Sequence, residues 1–128
     1  MVILGMGIDL IEIHRMKVAI ENPAFLRRVF TPAEIEYCRS RGRQGAASYA
    51  ARFAAKEAVM KALGTGLAGG TWLDIETLPD AKGKPELRLS GSFGLLADSM
   101  GVTCIHISLT HAQDYAAAQV LLWKGDQP

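Results

Sequence analysis

The residues able to do chemistry fall mostly in one stretch, Gln44 to Gly66, which carries Lys56, Glu57 and Lys61 and runs out through Gly64-Thr65-Gly66. An isolated carboxylate, Asp9, stands far from them in the chain, and His111 closes a later apolar run. Two carboxylates without a histidine or cysteine cluster suit a hard, oxygen-preferring ion. Mg²⁺ is usually held by one or two carboxylates together with substrate phosphates and water. Asp9 and Glu57 would be those ligands, while Lys56, Lys61, the backbone of Gly64-Thr65-Gly66 and His111 would surround phosphate charge. Phosphoryl transfer needs mainly positioning and electrostatic stabilisation. The spacing therefore points to Mg²⁺-dependent chemistry on a diphosphate.

Each of these residues also has an ordinary reading. Lys56 could run its stem along apolar surface with its ammonium in water, and Glu57 with Lys61 could form an exposed i,i+4 pair. Asp9 could cap a helix beginning at Leu10, and a strand-end histidine such as His111 is commonly a plain hydrogen-bonding residue. His14, Cys38 and Cys104 receive no role, and the two cysteines are read as reduced thiols.

The element that must position this chemistry is a long helix from Gln44 to Gly66. At about 100° per residue, Tyr49, Phe53, Met60 and Leu63 form one stripe with Lys56 in its middle and Glu57 on its shoulder. The other side is nearly all alanine, Ala47, Ala50, Ala51, Ala54, Ala55, Ala58 and Ala62. Small residues allow close backbone approach, so the helix is expected to be clasped on both sides. Gly64 suits the left-handed position that ends it.

Ahead of this helix, Val2 to Ile8 reads as a buried strand ending at Asp9, followed by a helical Leu10–Ala19. Asn22-Pro23 opens a short helix, and Thr31-Pro32-Ala33-Glu34 is a capping box opening another to about Arg41. Behind it come a turn at Leu67–Gly70, a strand in TWLDIETL, a hairpin loop PDAKGKP, a strand LRLS, and a helix capped by Ser90 or Ser92 and closed by Gly101. TCIHISLTH and DYAAAQVLLW form a last hairpin, and the tail from Lys124 to Pro128 is expected to fray. This order gives an α+β domain over residues 1–128, an antiparallel sheet wrapped around the central helix.

Composition sets further bounds. With 128 residues, 49% hydrophobic and 21% charged, the chain suits one globular domain. The apolar N-terminus lacks a basic leader and is too short for a membrane span, so a cytoplasmic location is expected. The net charge of +1 conceals a basic segment from His14 to Arg43 at +4, the remainder being −3. Such a segment could steer an acidic partner; nucleic acid fits less well, since the segment offers few aromatics for stacking.

Several motifs carry a family resemblance. They are Gly7-Ile8-Asp9 with Arg15, Phe30-Thr31 with Glu34, Arg52-Phe53-Ala54-Ala55-Lys56-Glu57-Ala58 into Lys61-Ala62-Leu63-Gly64-Thr65-Gly66, then Gly83-Lys84-Pro85, and Ile107-Ser108-Leu109-Thr110-His111 with Tyr115-Ala116. Together, in order over nearly the whole chain, they resemble the holo-acyl-carrier-protein synthase family, the 4′-phosphopantetheinyl transferases of fatty-acid synthesis. The resemblance implies coenzyme A as donor, a serine of an acidic apo acyl carrier protein as acceptor, and 3′,5′-ADP as leaving group. It implies Mg²⁺ on Asp9 and Glu57, with Glu57, or a water, as general base. It implies Lys61 at the transferring phosphate, Lys56 on Glu57 or a phosphate, and Gly64, Thr65, Ser108 and His111 along the nucleotide end of coenzyme A. Arg15, with Arg27 and Arg28, would receive the carrier protein, in a homotrimer with sites between subunits. Two other functions remain open on the residues: a non-catalytic module binding coenzyme A or nucleotide, and an Mg²⁺-dependent hydrolase of the coenzyme A diphosphate.

Overall fold

A computed structural model describes residues 1–67 and 69–126. Ala68, within the expected Leu67–Gly70 turn, and Gln127 and Pro128, the end of the expected tail, lie outside the described residues. The elements in order are β1 Val2–Glu12, α1 Ile13–Ala19, α2 Pro23–Val29, α3 Pro32–Ser40, α4 Gly45–Leu63, β2 Ile75–Pro79, β3 Pro85–Leu89, α5 Gly91–Met100, β4 Cys104–His111 and β5 Tyr115–Lys124. A three-stranded antiparallel sheet has the order β1-β5-β4, and β2 pairs with β3 as a separate hairpin. The α+β expectation is met, with two sheets against α4 rather than one.

The helix block follows its local signals. Asn22 Oδ1 accepts from the amides of Ala24 and Phe25, and the Thr31 capping box closes in both directions with Glu34. Helix α4 ends in a Schellman motif, in which the Gly64 amide donates to the Lys61 carbonyl and the Thr65 amide to that of Met60. Gly64 takes φ 75°, where a side chain would be strained.

The strand-to-helix packing explains the alanine face. A Cβ on Gly5 would lie 2.1 Å from the Ala62 carbonyl oxygen, and one on Gly7 only 1.9 Å from that of Ala58. Strand β1 therefore lies directly on the backbone of α4, with Gly5 and Gly7 in the inward positions. Ala54, Ala55 and Ala58 then join Val59, Val120 and Leu122 in one core, and Ala50 and Ala51 join Met16, Val29 and Phe30 in another. The two clusters clasp the helix, as the apolar circumference requires.

Several expectations need correction. Strand β1 continues to Glu12, so Asp9 neither ends a strand nor caps a helix; it sits inside the ladder opposite Ala118, and α1 starts only at Ile13. TWLDIETL begins as a 3₁₀ turn, Trp72–Asp74, before β2. Ser90 is the residue before α5 but its side chain caps nothing. The tail is tied rather than frayed as far as Asp126: the Gly125 amide donates to Thr103 Oγ1 at 2.8 Å, and the N-terminal ammonium meets Asp126 at 2.5 Å. Cys38 and Cys104 are both free thiols.

Candidate functional site

Helix α4 holds two lysines with opposite surroundings. Lys56 faces inward, fully buried, with Glu34 equally buried against it. Its Nζ donates to Glu34 Oε1 at 2.9 Å, to the Trp72 carbonyl at 3.0 Å and to the Ile75 carbonyl. An ammonium has three donors, and all three are used. Burial pushes the Lys56 ammonium below its usual range, and the Glu34 carboxylate opposes that.

Glu34 is as fully engaged. Its Oε1 also accepts from the Thr31 amide at 3.0 Å, and its Oε2 from the Thr77 amide at 3.0 Å. Lys56 thus joins α3, α4, the Trp72 turn and β2. The expectation that Lys56 reaches a phosphate or anchors Glu57 is corrected, because no donor is left for either; the reading that leaves its ammonium in water fails as well.

On the open face of α4, Phe53, Glu57 and Lys61 succeed one another at i, i+4 and i+8, the spacing that stacks residues on one side of a helix. Phe53 lies between Phe25 and Trp72, with ring centroids 6.4 and 5.1 Å apart. Lys61 does not pair with Glu57. Its Nζ donates to Asp9 Oδ1 at 2.9 Å and to the Ile8 carbonyl at 3.0 Å. Glu57 makes no ion pair among the described residues.

Asp9 reaches this place because inward positions of β1 alternate Gly5, Gly7, Asp9: the two glycines bring the strand onto the helix, and the carboxylate emerges beside Lys61. Asp9 Oδ2 is buried with no hydrogen-bond partner. The Glu57 carboxyl is pushed up, first by burial and then by the charge of Asp9, with Lys61 pulling the other way. Two carboxylates that repel, one with an orphaned oxygen, favour positive charge between them. Such oxygen-only donors match what Mg²⁺ takes from protein. No cluster of three His, Cys, Asp or Glu side chains occurs among the described residues, so substrate oxygens and water would have to complete the shell.

At the loop after α4, the Gly64 and Thr65 amides are spent on the Schellman bonds. What these two residues can offer a phosphate is the Thr65 hydroxyl. His111 and Ser108 lie elsewhere. Strand β4 is the far edge of the sheet from β1, and Ser108 is exposed on the same outer side as His106 and Gln119. His111 lines a cleft of about 170 Å³ with Tyr37, Arg41, Arg52, Gly83 and Pro85. The chain brings Asp9, Glu57 and Lys61 together and leaves Ser108 and His111 outside that group.

The cleft at His111 contains residues that the spacing argument passed over. Arg52 is buried, donates through Nε to the Thr77 carbonyl at 3.1 Å and lies 4.5 Å from the Tyr37 ring centroid; Arg41 lies 5.8 Å from the same centroid. Two guanidiniums and an imidazole make it an anion-favouring recess. Arg15 on α1 and Arg27 and Arg28 in the last turn of α2 are all exposed. Helix α1 packs on α4, so Arg15 is carried on a helix that adjoins the one bearing Glu57.

Comparison with known proteins follows the same lines. Residues 5–120 match the family described as the 4′-phosphopantetheinyl transferase superfamily. The chain is 52% identical over 120 residues to a holo-[acyl-carrier-protein] synthase of Moorella thermoacetica, covering 93% of each chain. It is 50% identical over 123 residues to one of Trichlorobacter lovleyi, covering 94% of this chain and 97% of that one. Among solved structures, a holo-(acyl-carrier-protein) synthase of Bacillus anthracis in complex with CoA (3′,5′-ADP) superposes with a TM-score of 0.80 at 35% identity, covering 98% of this chain and all of that one. The holo-[acyl-carrier-protein] synthase of Neisseria meningitidis gives 0.83 at 31% identity, covering 95% and 99%.

Proposed function

We propose a reaction scheme from the premise that the chain belongs to the 4′-phosphopantetheinyl transferase superfamily and, within it, to the holo-[acyl-carrier-protein] synthases. It moves the phosphopantetheine arm of coenzyme A to a serine of an apo acyl carrier protein. Residues 1–128 act as one transferase domain. The observation that carries the reading is the open group on α4, Asp9 with an orphaned Oδ2, Glu57 with a raised carboxyl, and Lys61 between water and Asp9.

In this scheme the serine oxygen attacks the β-phosphorus of coenzyme A. The bond from that phosphorus to the bridging oxygen breaks, and 3′,5′-ADP leaves with the bond's electrons. Asp9 and Glu57 would hold Mg²⁺, which when bound offsets negative charge on the diphosphate. Glu57, directly or through a water, receives the serine proton. A carboxyl pushed up by burial is better matched to that task than an exposed one. Lys61, at the solvent end of the group, meets charge on the transferring phosphate, and the Thr65 hydroxyl bonds a phosphate oxygen. Helix α4 keeps all of this fixed because Lys56 and Glu34 lock its inner face to β2.

The nucleotide end of coenzyme A goes to strand β4, with His111 and Ser108 as its binding residues and Arg41 supplying positive charge. Asp9 stands on edge strand β1 and His111 on the opposite edge strand β4, and in this scheme a second copy completes each site. Met6, Ile8 and Leu10 support such an assembly: on the outward face of β1 they are 60, 64 and 62% exposed, an apolar row that a stable surface rarely leaves open. We infer a homotrimer with sites between subunits.

Arg15, Arg27 and Arg28 dock the acidic carrier protein, by charge complementarity that speeds encounter and fixes orientation. No helix among the described residues is long and apolar enough to cross a membrane. We assign the activity to fatty-acid biosynthesis in the cytoplasm.

Intact mass of an apo carrier protein after incubation with this protein, coenzyme A and Mg²⁺ tests the scheme, with chelator and Glu57→Gln controls. One added phosphopantetheine arm, absent in both controls, is the expected result. An unchanged carrier with coenzyme A bound intact would instead indicate a binding module, and cleaved coenzyme A without a carrier would indicate a hydrolase.

A further inference from the structure

We propose that Lys61 is an internal counter-ion that occupies Asp9 until a divalent cation and a diphosphate arrive together, so that the site takes up metal poorly without its substrate. The inference rests on the reading of Asp9 and Glu57 as metal ligands and concerns what Lys61 does before they are used.

The geometry is that of a placeholder. The Lys61 ammonium bonds two oxygens, Asp9 Oδ1 and the Ile8 carbonyl, which are the kind of donor a hard cation also uses. Asp9 is nearly covered, at 15% side-chain exposure, whereas Lys61 is 54% exposed. The carboxylate is therefore fixed by strand β1, and the lysine is the member able to swing away. Asp9 Oδ2 has no partner at all, so half of the carboxylate is neutralised and half is left for a second cation.

A divalent ion held by Asp9 and Glu57 would stand close to the Lys61 ammonium. Like charges at that range repel strongly at the low effective dielectric of a partly covered site. Lys61 lies at the C-terminal end of a helix whose carbonyl dipoles favour a cation there, so it leaves only when it gains another anion. A diphosphate supplies that anion within reach of the side chain. Metal and diphosphate are then coupled through Lys61: each binds better when the other is present, as linkage requires. Lys56 cannot play this part, since its ammonium is closed in by Glu34 and two carbonyls.

The test is Mn²⁺ binding to the whole protein, followed by electron paramagnetic resonance of the free ion, without coenzyme A and then with it. Lys61→Met keeps the volume of a half-exposed side chain and removes the charge. The expected result is Mn²⁺ binding tighter by about five- to tenfold in Lys61→Met than in the wild type when coenzyme A is absent. The tightening of Mn²⁺ binding on adding coenzyme A should be smaller in the variant. Lys61→Arg should behave like the wild type, because the charge is kept. Asp9→Asn should weaken Mn²⁺ binding in every case. If Asp9→Asn weakens binding but Lys61→Met leaves it unchanged or weaker, the counter-ion role is overturned and the metal site stands. If neither substitution changes Mn²⁺ binding, the metal site itself is wrong and the inference falls with it.

Discussion

Two ion pairs hang from the same helix, and they differ in everything except their chemical type. Glu34–Lys56 is fully buried on both sides, and Asp9–Lys61 is mostly covered at the carboxylate and half open at the ammonium. In the first, every donor of the ammonium and both carboxylate oxygens are bonded. In the second, one carboxylate oxygen is orphaned and a neighbouring carboxylate is repelled. A closed pair has nothing left to offer a ligand; its work is to fix elements against one another. An open pair keeps unspent valence, and that is where chemistry can enter.

Breaking the closed pair gives the largest expected effect. Lys56→Met strands the Glu34 charge in the core and should lower stability by about 3–5 kcal/mol, read as a lower midpoint in urea unfolding. Adding Glu34→Leu to it removes the stranded charge, and the double variant should recover part of that loss. If Lys56→Met unfolds like the wild type, the pair is not the lock described here.

Breaking the open pair should leave the fold and remove the activity. Asp9→Asn is expected to lower kcat/KM for carrier modification by roughly 10²–10³-fold, with a melting temperature close to the wild type. Between these two effects stands the surface that brings the strand to the helix. Gly7→Ala places a methyl into the Ala58 carbonyl and should destabilise by about 2–3 kcal/mol. Transfer should fall with it, because Asp9 is carried on the same strand.

Smaller changes sharpen the contrast. Arg15→Glu should raise the KM for the carrier protein about tenfold at low salt with kcat nearly unchanged, and the difference should shrink as salt screens it. Glu57 gives a pH signature. Its carboxyl titrates above the unfolded range, so the neutral form is the one the fold favours; that contribution is present in acid and is lost as pH rises through the folded value. Glu57→Gln should therefore raise the melting temperature of metal-free protein at neutral pH by about 1 °C, allowing for solvent screening of a partly buried group. The gain should vanish in acid.

What the sequence made legible was local. Asn22-Pro23, the Thr31–Glu34 box and Gly64 announce helix ends because each signal and its partner lie within a few residues. The length and alanine face of α4 were legible for the same reason, and so was Glu57 on the helix shoulder. Asp9 was placed at a strand end because β1 reverses the usual alternation. Its inward residues are Gly5, Gly7 and Asp9, while Met6, Ile8 and Leu10 face out, so hydrophobicity points away from the core that the strand joins. Glu34 was visible only as a cap, since its partner Lys56 meets it through folding. Arg41 and Arg52 had no spacing to mark them, because the recess they line is assembled from α3, α4, β4 and the β2–β3 turn.

The most direct test of the division between the two pairs is the rate of phosphopantetheine transfer by Asp9→Asn, followed by intact carrier mass at a temperature well below its measured melting point. The expected result is a fold as stable as the wild type with transfer reduced at least a hundredfold, on the order of other lost electrostatic contacts at reacting charge. Transfer within a few-fold of wild type by the folded variant would contradict the account, and would mean that the open pair is as structural as the closed one.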